Sequence, residues 1–233
     1  GLSYRSFHFN LEVIKVIFED YDLFFVGGYG YPSVLMSILT LRLLKKPWVM
    51  MIDGISPLKL KKENYIAENI KKLLIQGANA YFANGTVGYR LLEKYGVNPK
   101  NIFNQYMTVD VDYFTGKVID SVRFRKELRQ KYGMSEDSIV VLYVGRLIEN
   151  KGVQDLIRAI KSLKNKNLNI KALIVGEGNF KEELKKQSEA LKHDILFTGH
   201  IDPEDLYKYY YTSDIFVLPT YDDKWGLVVN EAM

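Results

Sequence analysis

A chain of 233 residues exceeds one domain of ordinary size, and 47% hydrophobic with 26% charged residues is a globular composition with ample material for a core. The formal charge of +4 compels no polyanionic partner, and the absence of cysteine excludes disulfides and thiolate metal sites and favours the cell interior. His8, His193 and His200 are too scattered for a metal cluster, and the apolar stretch Val34–Leu44 is broken by Arg42, short of the roughly 18–20 residues that span a bilayer.

Apolar residues at helical spacing predict a helix over Asn10–Glu19 with Asn10 as its cap. Leu23–Val26 reads as a strand, Gly27–Gly30 as the turn after it, and Pro32 as the first turn of a helix to Leu44. A strand at Trp48–Ile52, ending at Asp53-Gly54, precedes a lysine-bearing helix over Glu63–Ile75. Ala80–Ala83 is a strand, Val87–Tyr95 a helix closed by Gly96, and Ile102-Phe103 a short strand before an irregular passage to Gly116. The series then restarts with a basic helix, Val122–Tyr132, and a strongly apolar strand, Ser138–Val144. Val153, Leu156, Ile157, Ile160 and Leu163 mark an amphipathic helix. Strands at Ile170–Val175 and Ile195–Thr198 alternate with helices at Phe180–Leu191 and Glu204–Tyr211. Ile215–Leu218 is a last buried strand, stopped by Pro219, and a helix opens near Gly226.

Alternating strands and helices imply parallel sheets with right-handed crossovers. The expected fold class is α/β with two Rossmann-like domains, 1–115 and 116–233, divided in the Tyr106–Gly116 passage. Both ends read as cut, so the expectation is an internal piece of a longer protein with both domains truncated.

Chemistry concentrates after two strands. In Val144-Gly-Arg-Leu-Ile-Glu-Asn-Lys-Gly152 a buried strand leads through Gly145 to Arg146, whose planar fork can hold two phosphate oxygens, and to Lys151, a mobile point charge before a helix. The glycine-lysine-serine ending of a Walker loop is missing. In Pro219–Glu231 two carboxylates, Asp223 and Glu231, bracket a polar loop and a helix start at Gly226, a combination suited to hydroxyls and phosphate together. The alternative at both places is a surface loop with solvated charges. Val175-Gly-Glu-Gly-Asn179 is a weaker glycine turn, and His200, after Phe197-Thr-Gly199, reads first as an exposed loop histidine.

Together these residues resemble the retaining glycosyltransferases of the GT-B fold, the family-four group that uses nucleotide-sugar donors. The segments that carry the resemblance are "VLYVGRLIENKGVQDLIRAI", "ALIVGEGNF", "ILFTGHIDPEDLYKYYYTSDIFVLPT" and "DDKWGLVVNEAM", in that order across most of residues 138–233. It implies a cytoplasmic hexosyl-transferring enzyme of the kind used in polysaccharide biosynthesis. A sugar would pass, with retention, from a UDP- or GDP-sugar to a hydroxyl on a glycan or lipid-linked glycan, with no metal, no further cofactor and no nucleic acid. Carried over, Arg146 and Lys151 hold the donor diphosphate, and Glu231 binds the ribose hydroxyls. Asp223 stands where the family has a glutamate facing the transferred sugar. Gly145, Gly226, Leu227 and Val228 face the donor, while Gly176, Gly178, His200 and Ile201 lie near the base. Residues 21–114 resemble the acceptor-side domain through "YDLFFVGGYGYPSVLM", "PWVMMIDG" and "NIFNQYMTVDVDYF", with Asp53 where many members have a histidine.

Two rival readings stand beside this one. Gly28, Gly30 and Asp53 form a partial dinucleotide fingerprint whose third glycine is replaced by Ser33, pointing to an NAD-dependent enzyme. The departures at Asp53 and Asp223 suit a catalytically silent nucleotide-sugar-binding subunit. Finally, Lys59, Lys61, Lys62, Lys71 and Lys72, against Glu63 and Glu68 and interleaved with Leu58, Leu60 and Tyr65, form either a solvated helix face or a peripheral contact with anionic lipid.

Overall fold

The computed structural model describes residues 10–61, 64–116 and 118–233; His8, Lys62, Glu63 and the side chain of Lys59 lie outside the described residues. The chain divides into two compact units, Gly1–Met107 and Thr108–Met233. The division falls within the irregular passage but ahead of 115/116, because the segment after Met107 packs on the second unit. There Tyr113 donates to Glu204 O at 2.8 Å, and Tyr211 donates to Phe114 O at 2.7 Å.

The first unit runs α1 (Glu12–Phe18), β1 (Phe24–Gly27), α2 (Pro32–Leu43), β2 (Trp48–Ile52), α3 (Tyr65–Ile75), β3 (Ala80–Ala83), α4 (Gly85–Lys94) and β4 (Ile102–Asn104). Asn10 Oδ1 accepts from Glu12 N at 2.9 Å, so it serves α1 from one position before the N-cap, Leu11. Helix α3 is described from Tyr65, where Asn64 caps it by accepting from Ile66 N. The strands are all parallel in the order β1-β2-β3-β4. Right-handed crossovers that always step the same way put every helix on one face. Ile17, Ile38, Leu41, Ile75, Leu91 and Leu92 from the helices accordingly bury Val26, Trp48, Met50, Tyr81 and Ile102. On the opposite face Phe82 lies between Phe25, on which it stacks, and Phe103, to which it is tilted, both exposed.

The second unit runs α5 (Val111–Thr115), α6 (Ser121–Lys131), β5 (Ile139–Val144), α7 (Val153–Lys164), β6 (Ile170–Val175), α8 (Lys181–Gln187), β7 (Ile195–Gly199), α9 (Pro203–Thr212), β8 (Ile215–Phe216) and α10 (Leu227–Ala232). Helix α5 lies in the passage read as irregular; Asp110 caps it by accepting from Tyr113 N at 2.9 Å. The helix expected over Phe180–Leu191 breaks at Ser188, whose hydroxyl turns back to Lys185 O, and a 3-10 turn follows at Glu189–Leu191. Strand β8 is shorter than Ile215–Leu218; Val217 N still donates to Leu142 O at 2.9 Å, and Pro219 has no N–H to continue.

Here the parallel order is β7-β6-β5-β8, so the chain steps one way from β5 to β7 and then returns past β5 to place β8. The reversal puts helices on both faces. Helices α7 and α8 cover Val141, Tyr143, Ala172 and Ile174, while α6 and α9 cover Val140, Leu142, Val144, Leu173 and Val175. At the foot of β8, Asp214 accepts from Val140 N at 2.7 Å, Arg125 at 2.6 Å and buried Arg129 at 3.0 Å, which fixes its register on β5.

Candidate active site

Consecutive strands that leave a central strand in opposite directions open a crevice at their carboxyl ends. In this chain the crevice is bounded by the loops after β5 and β8, Gly145–Gly152 and Pro219–Gly226. These are the two stretches that the sequence singled out.

The loops are locked by close backbone approach. Gly152 has φ +69°, and a Cβ there would lie 2.0 Å from Pro219 O. A Cβ on Gly178 would lie 2.2 Å from Leu147 O, and one on Gly176 would strike Gly145 O. Thus Gly176 and Gly178 act first as packing points that press the β6 loop onto the β5 loop. Hydrogen bonds complete the lacing. Leu147 N donates to Glu177 O at 2.9 Å, Gly176 N to Gly199 O at 2.8 Å, and Tyr221 N to Asn150 O at 3.0 Å. Tyr221 also donates its hydroxyl to Asp155 Oδ2 at 2.7 Å and accepts from Gln154 at 3.1 Å.

Charge is placed across the crevice. Lys151 Nζ meets Asp223 Oδ2 at 2.6 Å, with the two side chains 13% and 28% exposed. Burial works to raise the Asp223 pKa, but hydrogen bonds from Lys151, Lys224 N and Trp225 N, with the Lys151 charge, hold it below the ordinary carboxylate value. Arg146 is exposed at the head of the same loop, and its carbonyl accepts from the Tyr143 hydroxyl at 2.9 Å. Burial, then the Asp223 charge, raises the Tyr143 pKa, so this hydroxyl stays a donor. An ammonium has three donors and no acceptor, so Lys151 can hold Asp223 and still offer two N–H groups to an anion.

Leu227, Val228 and Glu231 lie on α10, which follows Gly226 directly. Glu231 Oε2 accepts from Tyr210 at 2.7 Å, and Tyr210 also reaches Val228 O at 3.3 Å. Burial, then the Glu231 carboxylate, raises the Tyr210 pKa. Sequence reasoning missed this tyrosine. His200 and Ile201 line a groove of about 330 Å³ with Phe124, Glu127 and Lys208, and His200 Nε2 stands 3.9 Å from Asp202 Oδ1. The groove lies between α6 and α9, so these two residues border the helical layer at the end of β7. In the first unit the Gly27–Gly30 turn follows β1, and Asp53 follows β2 with Gln105 Nε2 at 3.3 Å. Strand β1 ends that sheet among the described strands, so its glycine turn sits at no reversal of strand order. Among the described residues, no group of three or more His, Cys, Asp or Glu is gathered as metal ligands.

Residues 124–233 match the family described as Glycosyl transferases group 1. The chain is 32% identical over 116 residues to a lipopolysaccharide 1,2-N-acetylglucosaminetransferase of Salmonella typhimurium, covering 46% of this chain and 30% of that protein. It is 28% identical over 231 residues to an uncharacterized glycosyltransferase of Methanocaldococcus jannaschii, covering 91% of this chain and 56% of that one. In fold it is similar to Anabaena HepE, solved in complex with UDP, with a TM-score of 0.75, 20% identity, and 95% of this chain against 59% of the other. The chain thus spans less than two thirds of the length of each of these relatives. Residues 124–233 thus carry the match to the glycosyl transferases group 1 family, and the chain's two parallel Rossmann-like sheets are of GT-B type.

Proposed function

We propose that the whole protein transfers a sugar from a nucleotide-diphosphate-sugar donor to a hydroxyl of a glycan or lipid-linked glycan, with retention of configuration. The observation that carries this reading is the Lys151–Asp223 pair set across the β5/β8 crevice, with Arg146 exposed on the same loop. Lys151 and Arg146 take the charge that develops on the leaving diphosphate, the fixed-cation form of transition-state stabilisation, so no metal is invoked. Glu231, oriented by Tyr210, accepts from the ribose hydroxyls, and Gly226, Leu227 and Val228 lie along the donor. Asp223 aligns Lys151 and faces the transferred sugar. The bond from the anomeric carbon to the diphosphate breaks, the acceptor oxygen attacks on the same face, and its proton passes to the departing diphosphate.

We place this reaction in the cytoplasm, with the first unit on the acceptor side. UDP, the nucleotide in the Anabaena structure, is the first donor nucleotide to test, and GDP the second. The test incubates the full-length protein with labelled UDP- and GDP-sugars and candidate acceptors, and reads the anomeric configuration of the product by NMR. A product of retained configuration, formed roughly thirtyfold more slowly by Lys151→Ala, is expected. Tight nucleotide-sugar binding with neither transfer nor hydrolysis would favour the silent subunit instead.

A further inference from the structure

The charged groups of the crevice sit on loops. Arg146 and Lys151 lie between β5 and α7, and Asp223 lies between β8 and α10. Several contacts join one loop to the other. Lys151 Nζ meets Asp223 Oδ2 at 2.6 Å, Tyr221 N donates to Asn150 O at 3.0 Å, Thr220 Oγ1 reaches the same carbonyl at 3.3 Å, and Gly152 lies against Pro219 O. Each of these holds one loop by the other, so together they would let both loops drift as a pair.

The Tyr221 side chain reaches further. Its hydroxyl donates to Asp155 Oδ2 at 2.7 Å and accepts from Gln154 Nε2 at 3.1 Å, both in the first turn of α7. Helix α7 buries Val153, Leu156, Ile157 and Ile160 against the second sheet, so it is a rigid anchor. Both partners are themselves held: Arg158, one turn on, pairs with Asp155, and Gln154 Nε2 also donates to Glu149 O at 3.0 Å. The Asp155 hydrogen bond is the main cause that raises the Tyr221 pKa, so the hydroxyl stays a donor at neutral pH. Water competes for a phenol as exposed as this one. The Tyr221 backbone is already tied to Asn150, however, so the side-chain bonds close a short ring at little further entropic cost.

We infer that Tyr221 is a positioning residue for the transfer reaction: docked on Asp155 and Gln154, it holds the β8 loop on α7 so that Asp223 keeps Lys151 oriented for the diphosphate. This role rests on the sugar-transfer reading and deepens it. Side-chain length at position 223 gives the reason. One methylene separates the Asp223 carboxylate from its backbone, so its 2.6 Å contact with Lys151 survives only while the loop lies close. A glutamate would bridge a wider gap. A misaligned Lys151 would still attract a diphosphate but would meet the charge of the transition state less well, so the loss should fall on kcat rather than on KM. Tyr221→Phe keeps the ring and removes the two hydrogen bonds, and Asp155→Ala removes the acceptor from the other side.

In the full-length protein without nucleotide, Tyr221→Phe and Asp155→Ala should each speed amide exchange several-fold in residues 220–226, with 24–104 unchanged and circular dichroism native. With donor and acceptor present, each should lower kcat about fivefold and leave the donor KM within about twofold, the size expected for one hydrogen bond. Combined with Asp223→Glu, Tyr221→Phe should lower kcat by less than about twofold, because the longer carboxylate reaches Lys151 from a looser loop. Unchanged exchange in 220–226, or exchange quickened equally through the whole second unit, overturns the inference. So does an equal loss of kcat with and without Asp223→Glu, which a merely structural tyrosine would give. If the native protein binds nucleotide sugar without transferring it, the sugar-transfer reading fails, while exchange in residues 220–226 still decides whether Tyr221 holds the loop.

Discussion

The two sheets of this chain obey the same βα alternation and differ in one step of strand order. In β1-β2-β3-β4 each crossover moves the same way, so helices gather on one face and Phe25, Phe82 and Phe103 stand on the other. In β7-β6-β5-β8 the return past β5 covers both faces and leaves a crevice between two loops. The comparison teaches that the site is made by topology first and by charge second. Both units have glycine turns after strands, but among the described strands such a turn stands opposite another strand's loop at a reversal in the second unit.

The hardest way to break this difference is to unseat β8. Asp214→Ala removes one acceptor from Val140 N, Arg125 and buried Arg129 together. Breaking a buried pair costs about 3–5 kcal/mol, and because Asp214 keeps part of its side chain in water a loss of about 2–3 kcal/mol is expected in the second unit alone. Urea unfolding followed separately in each unit checks this; equal losses in both would mean that the sheets are not independent. The same carboxyl gives a pH signature. Burial raises its pKa, but Val140 N and the two arginines outweigh burial and hold it below the unfolded value of about 3.9. Its contribution is therefore complete above that value and lost as pH falls through the lowered pKa, so the second unit should weaken in this acid range.

Gly152→Ala attacks the crevice itself. The left-handed backbone costs about 1–2 kcal/mol for a residue with a Cβ, and the new atom would press on Pro219 O. A total near 2 kcal/mol is expected, with nucleotide affinity falling more than stability, because the two loops must part. Unchanged affinity by calorimetry would remove the loop contact from the account. Lys151→Ala should cost about 2 kcal/mol of transition-state stabilisation, roughly thirtyfold in kcat/KM of the full-length enzyme, with the fold intact by circular dichroism.

The smallest expected effect is that of Tyr210→Phe. It deletes the 2.7 Å hydrogen bond to Glu231 while keeping the ring, so donor binding should weaken by about 1 kcal/mol, near fivefold, with little change in kcat. A loss of stability without any change in KM would make the tyrosine structural only.

The β5 loop was legible in the sequence because every element of it is local: an apolar strand, a glycine, then charges before a helix. Strand β8 was half legible, since Pro219 marks its end but not how few ladder bonds precede it. Tyr210 was not legible, because Tyr209, Tyr210 and Tyr211 are adjacent and chemically alike. Only the packing of α9 sends Tyr210 to Glu231 and Tyr209 to Tyr132. Helix α3 shows another limit. Its spacing reveals an apolar stripe and a charged stripe, whereas the side that meets the protein depends on crossover geometry, and there the charged stripe turned inward.

The central claim, that the reversal at β5 and β8 binds the donor nucleotide, is tested most directly by amide hydrogen exchange with and without saturating UDP, repeated with GDP. One nucleotide should slow exchange in residues 145–152 and 219–231 and leave 24–104 unchanged. Protection confined to the first unit, or no protection and no binding of either nucleotide, would contradict it.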